Sequence, residues 1–139
     1  MDTLTSTTRS MASPTVAVPK QWRIAIADDE QDMRDYLRWA LVRMGHEVVA
    51  IAKDGQELID VCQASGPDLI ISDVKMPEVD GLAAAKEIFA KRQIPIILIS
   101  AHQEPELLSA GQACGVVAIL NKPVKQADIQ KALATLGSN

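Results

Sequence analysis

Short apolar runs alternate with helix-length amphipathic segments along most of this chain. Five runs of strand length follow one another from residue 21 onward, at residues 23–27, 48–51, 69–72, 96–99 and 116–120. This alternation predicts βα units and therefore a parallel sheet. Because the runs are almost uniformly apolar, we expect helices to cover both faces of the sheet. The sequence thus predicts an α/β chain with a doubly wound (βα)5 fold in three layers and strand order 2-1-3-4-5.

The helical segments carry their own start and stop signals. The first covers residues 30–44 and places five apolar side chains on one helical face, namely Met33, Leu37, Ala40, Leu41 and Met44. Gly45 predicts the end of this helix. An Asp-Gly pair at residues 54–55 predicts the start of the second helix, and Pro105 predicts the start of the fourth. The last helix is expected over residues 125–136.

Length and composition indicate one domain. The chain has 139 residues, enough for a buried core, and this core must be aliphatic because only 3% of the residues are aromatic. Residues 1–20 are rich in Ser, Thr and Pro and are expected to form a disordered tail, which leaves residues 21–139 as the folded domain. Met11 is an alternative start that the sequence leaves open.

Charge and hydropathy exclude two classes of partner. The net charge is −4, with no basic cluster, which argues against direct binding of nucleic acid. No apolar run approaches the roughly 20 residues that a membrane span requires. The first 20 residues also lack the apolar centre of a signal peptide. A cytoplasmic protein is therefore expected.

Five single residues are interpreted structurally. Cys62 and Cys114 are isolated, without metal-ligand spacing, and are expected to be small buried hydrophobes in a reducing compartment. Trp22 and Trp39 are interpreted as structural residues, and His46 as a solvated loop residue.

Polar residues stand where four of the predicted strands end. Asp28 and Asp29 follow the first strand, Asp73 the third, and Ser100 the fourth, while Lys122 comes just after the fifth. The carboxyl ends of parallel strands share one edge of the sheet, and ligands bind at that edge. We therefore expect three carboxylates, a hydroxyl and an ammonium to meet in one pocket.

This set of groups indicates a narrow chemistry. Two like charges 4 Å apart repel by about 4 kcal/mol at an effective dielectric near 20, so the three acids require a proton or a cation. Oxygen ligands with open positions suit Mg²⁺, or Mn²⁺, held by Asp28, Asp29 and Asp73. Asp73 is then the candidate nucleophile for a phosphoryl group. Lys122 would pair with it, and Ser100 would donate to a phosphoryl oxygen.

The motifs around these residues resemble the receiver domain of two-component response regulators, which has a flavodoxin-like fold. The resemblance covers residues 22–136 and includes IADDE at 26–30, SDVKMPEVDG at 72–81, LISA at 98–101 and NKP at 121–123. It implies phosphorylation of Asp73 by a histidine kinase or histidine phosphotransfer protein. It also implies that the Lys75 carbonyl is a further metal ligand and that the peptide bond before Pro123 is cis.

Within that family, the chain is similar to receivers of the RNA-binding antiterminator class, but its length leaves no room for their C-terminal output domain. One position departs from the family, because Ile119 stands where an aromatic residue usually moves with the switch hydroxyl. The resemblance implies that the signal passes to a downstream protein or to a homodimer through the fourth helix, fifth strand and fifth helix. His102 and Lys75 flank the pocket, as modulators of phosphoryl lifetime or as plain loop residues.

Three functions are compatible with these residues. The first is a stand-alone response regulator, which is a phosphoacceptor and not an enzyme acting on an external substrate. The second is a degenerate scaffold that keeps the receiver shape without being phosphorylated. The third is an aspartyl-phosphate phosphatase of the haloacid-dehalogenase type, but that class has Asp-x-Asp after its first strand, where this chain has Asp28, Asp29 and Glu30.

Overall fold

The computed structural model describes residues 20–102 and 105–137, within which five strands alternate with five helices. Apart from Lys20, the tail predicted at residues 1–20 lies outside the described residues. The strands are β1 (Arg23–Ala27), β2 (Glu47–Ala52), β3 (Leu69–Asp73), β4 (Ile96–Ser100) and β5 (Val116–Asn121). The helices are α1 (Gln31–Arg43), α2 (Gly55–Ser65), α3 (Gly81–Lys91), α4 (Pro105–Gln112) and α5 (Gln126–Gly137).

All five described strands join one parallel sheet in the order β2-β1-β3-β4-β5. The predicted fold and strand order are therefore confirmed. The strand order reverses between β1 and β3, which pair with Ala27 opposite Ser72. The residues that directly follow these two strands thus lie side by side at the carboxyl edge, where a doubly wound sheet binds its ligands.

The sheet separates two apolar clusters, because successive side chains of a strand point to opposite faces. On one face Ile24 and Ile26 pack with residues of α1 and α5, including Leu37 and Ile129. On the other face Ala25 and Ala27 pack with residues of α2, α3 and α4. The predicted helical cover on both faces is confirmed. The outer strands β2 and β5 are only partly buried, since each has a neighbour on one side alone.

The helix ends follow the predicted signals to within one or two residues. Asp54 caps α2 by accepting the amide of Glu57 at 2.8 Å, and Asp80 caps α3 by accepting the amide of Ala83 at 2.8 Å. Gly45 follows α1 with φ of +92°, a conformation that glycine adopts without steric cost.

Trp39 lies on the surface of α1: it is 50% exposed, and its ring lies 6.3 Å from that of Tyr36 and 5.1 Å from the Arg43 guanidinium. One single-residue interpretation is wrong. His46 is not a solvated residue: it is half-buried, and its Nδ1 accepts the amide of Trp22 at 3.0 Å. Burial lowers the pKa of His46, because the charged imidazolium loses hydration there.

The other three interpretations hold. Trp22 is 6% exposed and packs in the cluster beneath α1. Cys62 and Cys114 are buried free thiols, and burial raises the pKa of Cys62 to about 11. Among the described residues, no helix combines the length and apolar character needed to cross a bilayer.

Candidate functional site

Three carboxylates meet at the carboxyl edge of the sheet. Oxygen atoms of Asp28, Asp29 and Asp73 lie within 4.8 Å of one another. Asp28 and Asp73 are 0% and 4% exposed, whereas Asp29 is open to solvent. Lys122 completes the group, and we call these four residues the acid pocket. The structure therefore brings together four of the residues that the sequence singled out.

Three of the four polar atoms of Asp28 form hydrogen bonds, and the fourth does not. Its amide donates to the carbonyl of Ala52 at 3.1 Å, and its carbonyl accepts Nη1 of Arg34 at 2.9 Å. Its Oδ1 accepts the amide of Glu30 at 2.9 Å. Its Oδ2 is buried and has no hydrogen-bond partner among the residues that the structure describes. A buried carboxylate oxygen left in this way is suited to a cation, and oxygen donors suit Mg²⁺, so the residues present fit the ion.

Lys122 supplies positive charge from the opposite side of the pocket. Its Nζ lies 3.3 Å from Oδ2 of Asp73 and 3.9 Å from Oδ2 of Asp28. Its amide donates to the carbonyl of Ser100 at 2.9 Å, and the following bond to Pro123 is cis, as expected. These contacts attach the end of β5 to the end of β4 and aim the ammonium at the acids.

Burial dominates the electrostatics of the pocket. It raises the pKa of Asp28 to about 6, against the lowering effect of the hydrogen bond from Glu30. Burial also raises the pKa of Asp73, partly offset by the nearby Lys122 ammonium. Burial would lower the pKa of Lys122, but the two carboxylates outweigh it and the net shift is upward. A proton or a cation at Asp28 is therefore favoured over three bare charges.

Ser100 ends β4, the strand next to that of Asp73, and is 2% exposed. Its hydroxyl donates to the carbonyl of His102 at 2.6 Å and accepts the amide of His102 at 3.2 Å. The hydroxyl thus binds the loop that follows β4. The side chain of His102 is exposed.

The loop after Asp73 folds back on the strand. The amide of Val74 donates to the carbonyl of Ile99, and the amide of Gly81 donates to the carbonyl of Val74 at 2.7 Å. The amide of Lys75 bonds the Asp73 carboxylate, and the Lys75 side chain is exposed. Lys75 therefore lies at the pocket, while the assignment of its carbonyl as a metal ligand stays a prediction.

Comparison with known proteins agrees with this geometry. Residues 24–134 match the family described as response regulator receiver domain. This chain belongs to that family. It is 39% identical over 127 residues to the transcriptional regulatory protein PdtaR of Mycobacterium tuberculosis, an alignment covering 88% of this chain and 61% of PdtaR. The chain therefore spans less than two thirds of the length of that relative.

Two further similarities concern proteins of receiver size. The chain is 34% identical over 112 residues to the chemotaxis protein CheY of Bacillus subtilis, covering 80% of this chain and 93% of CheY. Its fold matches the solved signal receiver domain of the response regulator NarL from Mycobacterium tuberculosis with a TM-score of 0.78. That match has 28% sequence identity and covers 87% of this chain and 99% of the NarL domain.

Two glycines let the loop at residues 74–80, which we call the Asp73 loop, lie close to its neighbours. A Cβ on Gly81 would lie 2.2 Å from the carbonyl oxygen of Asp73, and one on Gly55 would lie 2.0 Å from the carbonyl oxygen of Val79. The last residues of this loop thus lie against the end of β3 and against the start of α2. Sequence reasoning treated Gly55 only as a helix start and missed this contact.

The surface formed by α4 and β5 carries exposed apolar side chains. Ile119 is partly buried and packs against the cluster of α2, α3 and α4. Leu108 on α4 and Val117 on β5 are 38% and 44% exposed. We call Leu108, Val117 and Ile119 the α4–β5 face. Without an aromatic ring at residue 119, this face is built from aliphatic side chains.

Proposed function

We propose that this receiver accepts a phosphoryl group on Asp73 in a reaction that requires Mg²⁺ or Mn²⁺. The observation that carries the proposal is the buried Oδ2 of Asp28, which lacks a hydrogen-bond partner among the described residues and lies beside Asp73 and Lys122. The donor would be a histidine kinase or a histidine phosphotransfer protein, as family membership implies.

In the proposed reaction, a carboxylate oxygen of Asp73 attacks the phosphorus of a phosphohistidine. The O–P bond forms as the P–N bond breaks, and the imidazole leaves with the electron pair and takes up a proton. Asp28 and Asp29, with the Lys75 carbonyl, would hold the divalent ion, which neutralises charge on the transferring oxygens. Lys122 would then exchange its contact with the Asp73 carboxylate for one with a phosphoryl oxygen.

The readout of phosphorylation would begin at Ser100. Its hydroxyl now bonds the backbone of His102, and a phosphoryl oxygen on Asp73 would compete for that hydroxyl. Donation to the phosphoryl group would release the loop that leads into α4. Such a contact exists only in the phosphorylated state and can therefore shift a conformational equilibrium.

The phosphorylated state would be read by another protein or by a second copy of the chain, through α4, β5 and α5. The exposed side chains of Leu108 and Val117 supply apolar area for such a contact. We place the protein in the cytoplasm, and we infer no enzymatic turnover of an external substrate and no direct contact with nucleic acid. Gel filtration with and without beryllofluoride and Mg²⁺ tests the dimer. Identical elution volumes would exclude phosphorylation-driven self-association.

Phos-tag electrophoresis after incubation with acetyl phosphate and Mg²⁺ tests phosphoacceptance. We expect a shifted band in the wild type and in Asp60→Asn, an exposed acid on α2, but none in Asp73→Asn or after chelation with EDTA. A wild type without a shifted band would indicate the scaffold function. Sustained hydrolysis of a phosphomonoester would indicate the phosphatase.

A further inference from the structure

Arg34 lies in the first turn of α1, and its side chain turns back to Asp28, which directly follows β1. Its amide donates to the carbonyl of Glu30 at 3.1 Å, which places Arg34 inside the helix. Its half-buried side chain then turns toward the start of the helix, and Nη1 donates to the main-chain carbonyl of Asp28 at 2.9 Å. The guanidinium thus contacts the backbone of the acid and not its carboxylate.

This bond completes the support of Asp28. The residue is held at its amide by Ala52, at its carbonyl by Arg34 and at Oδ1 by Glu30. Because both main-chain groups and Oδ1 of Asp28 are hydrogen-bonded, the orientation of Oδ2 is fixed as well. Oδ2 faces the pocket, since it lies 3.9 Å from Nζ of Lys122.

We propose that Arg34 is a positioning residue, which fixes the Asp28 backbone so that Oδ2 is presented to a divalent cation. The proposal deepens the proposed function, because it concerns the same metal site. Groups behind a metal ligand set its orientation, and their loss typically weakens metal affinity by about tenfold or more.

The charge of Arg34 and its hydrogen bond to Asp28 predict opposite changes in Mg²⁺ affinity when the side chain is replaced. Arg34 carries a positive charge close to a cation site, so removal of the charge alone would strengthen Mg²⁺ binding. If Arg34 positions Asp28, its removal weakens binding in spite of that gain. The sign of the change therefore distinguishes the two effects.

Calorimetric titration of the full chain with MgCl₂ measures that sign. We expect Arg34→Gln to weaken Mg²⁺ binding by about tenfold. We expect Arg34→Lys, whose ammonium can still donate to the carbonyl, to recover part of the loss. Arg38→Gln is the matched control, because it removes the same charge from an exposed position on the same helix. Its affinity should stay within about twofold of the wild type.

A second readout does not need the metal. The Glu30 amide donates to Oδ1 of Asp28, so its proton resonance reports the position of the carboxylate in the metal-free protein. We expect this resonance to move upfield in Arg34→Gln and to return toward the wild-type position in Arg34→Lys. Should Arg34→Gln fail to fold, Arg34→Lys and Arg38→Gln carry both measurements, with the Lys variant binding Mg²⁺ more weakly than the control.

The outcomes separate this inference from the proposed function. Binding of Mg²⁺ by Arg34→Gln as tight as, or tighter than, by the wild type would overturn the positioning role and leave the phosphoacceptor proposal standing. A wild type without affinity for Mg²⁺ would instead overturn the proposed metal chemistry. In that case an unmoved Glu30 resonance would reject the positioning role, and a moved one would support it.

Discussion

The acid pocket and the α4–β5 face are built in different ways, although β4 and its flanking loops connect them. In the pocket, Asp28 and Asp73 are buried, and main-chain hydrogen bonds hold the chain around them. On the α4–β5 face, Leu108 and Val117 are partly exposed and Ile119 replaces the usual aromatic residue. Ser100 lies between the two regions, because its hydroxyl bonds the loop that leads to α4.

From this contrast we expect the proposed phosphoryl transfer and its readout to be separable. A phosphoryl transfer site depends on atoms held in place, so changes there alter rate and affinity. Substitutions on an exposed aliphatic face can alter protein binding there with little effect on phosphoryl transfer. We therefore expect substitutions in the two regions to affect different measurements, and the predictions below test that separation.

The largest effect is expected at Lys122. In Lys122→Met, phosphorylation by acetyl phosphate should slow by about 100-fold, because one donor to the transferring oxygens is lost. Affinity for Mg²⁺ should rise, since a competing cation 3.3 Å from Asp73 and 3.9 Å from Asp28 is gone. Rates come from Phos-tag time courses and affinities from calorimetry. Lys125→Met, an exposed site with the same charge change, is the control. Equal rates in both variants would contradict the role of Lys122.

A paired glycine experiment compares a position beside the acid pocket with one between α4 and β5. A Cβ at Gly55 would meet the carbonyl of Val79 at 2.0 Å, and one at Gly111 would meet the side chain of Val116 at 2.5 Å. Both Gly→Ala variants should lose about 1–3 kcal/mol of unfolding free energy through overpacking. Only Gly55→Ala should also weaken Mg²⁺ binding, by about tenfold, because it displaces the Asp73 loop at residues 74–80.

Denaturant titrations and calorimetry on both variants measure these changes. Equal loss of Mg²⁺ affinity in Gly111→Ala would show that the regions are coupled and not separate.

The raised pKa of Asp28 predicts a pH dependence of stability. The folded pKa of about 6 lies above the unfolded value of 3.8, so this residue stabilises the fold fully below the unfolded value and loses that contribution as pH rises through 6. Without metal, the unfolding free energy should fall by about 1 kcal/mol more between pH 5 and pH 7 in the wild type than in Asp28→Asn.

Urea titrations at the two pH values, in EDTA, measure this difference. The comparison with Asp28→Asn removes the opposite contribution of His46, whose lowered pKa favours the fold at high pH. Parallel pH profiles would mean that Asp28 is not the group responsible.

The smallest effect on chemistry is expected on the α4–β5 face. Val117 is 44% exposed, so Val117→Ser should change the unfolding free energy by no more than about 0.5 kcal/mol. It should leave the phosphorylation rate unchanged and abolish any beryllofluoride-induced dimer in gel filtration. A slower phosphorylation rate in this variant would break the separation between the regions.

Most of the fold and four members of the pocket follow from the sequence, for a clear physical reason. Parallel strands end at one edge, so Asp28, Asp29, Asp73 and Lys122 had to meet once their strands were recognised. The role of Ser100 is different, since its bond to His102 depends on a loop conformation that spacing does not encode.

The missed contacts depend on an arrangement in space that spacing does not encode. The Arg34 side chain contacts the Asp28 carbonyl across the connection between β1 and α1, and the start of α2 at Gly55 lies against Val79 of a loop distant in sequence. The exposure of Trp39 agrees with the predicted periodicity, because the apolar face predicted for the first helix does not include this residue.

The sheet divides the apolar interior into two clusters, and this division affects how a conformational change would spread through the molecule. The cluster behind α2, α3 and α4 adjoins the loop that Ser100 holds, whereas the cluster of α1 and α5 lies on the far face. A rearrangement that starts at this loop would reach the cluster of α2, α3 and α4 before the cluster of α1 and α5. In the proposed function, a change at Asp73 and Ser100 would therefore alter the surface around α4 first and the surface of α1 last.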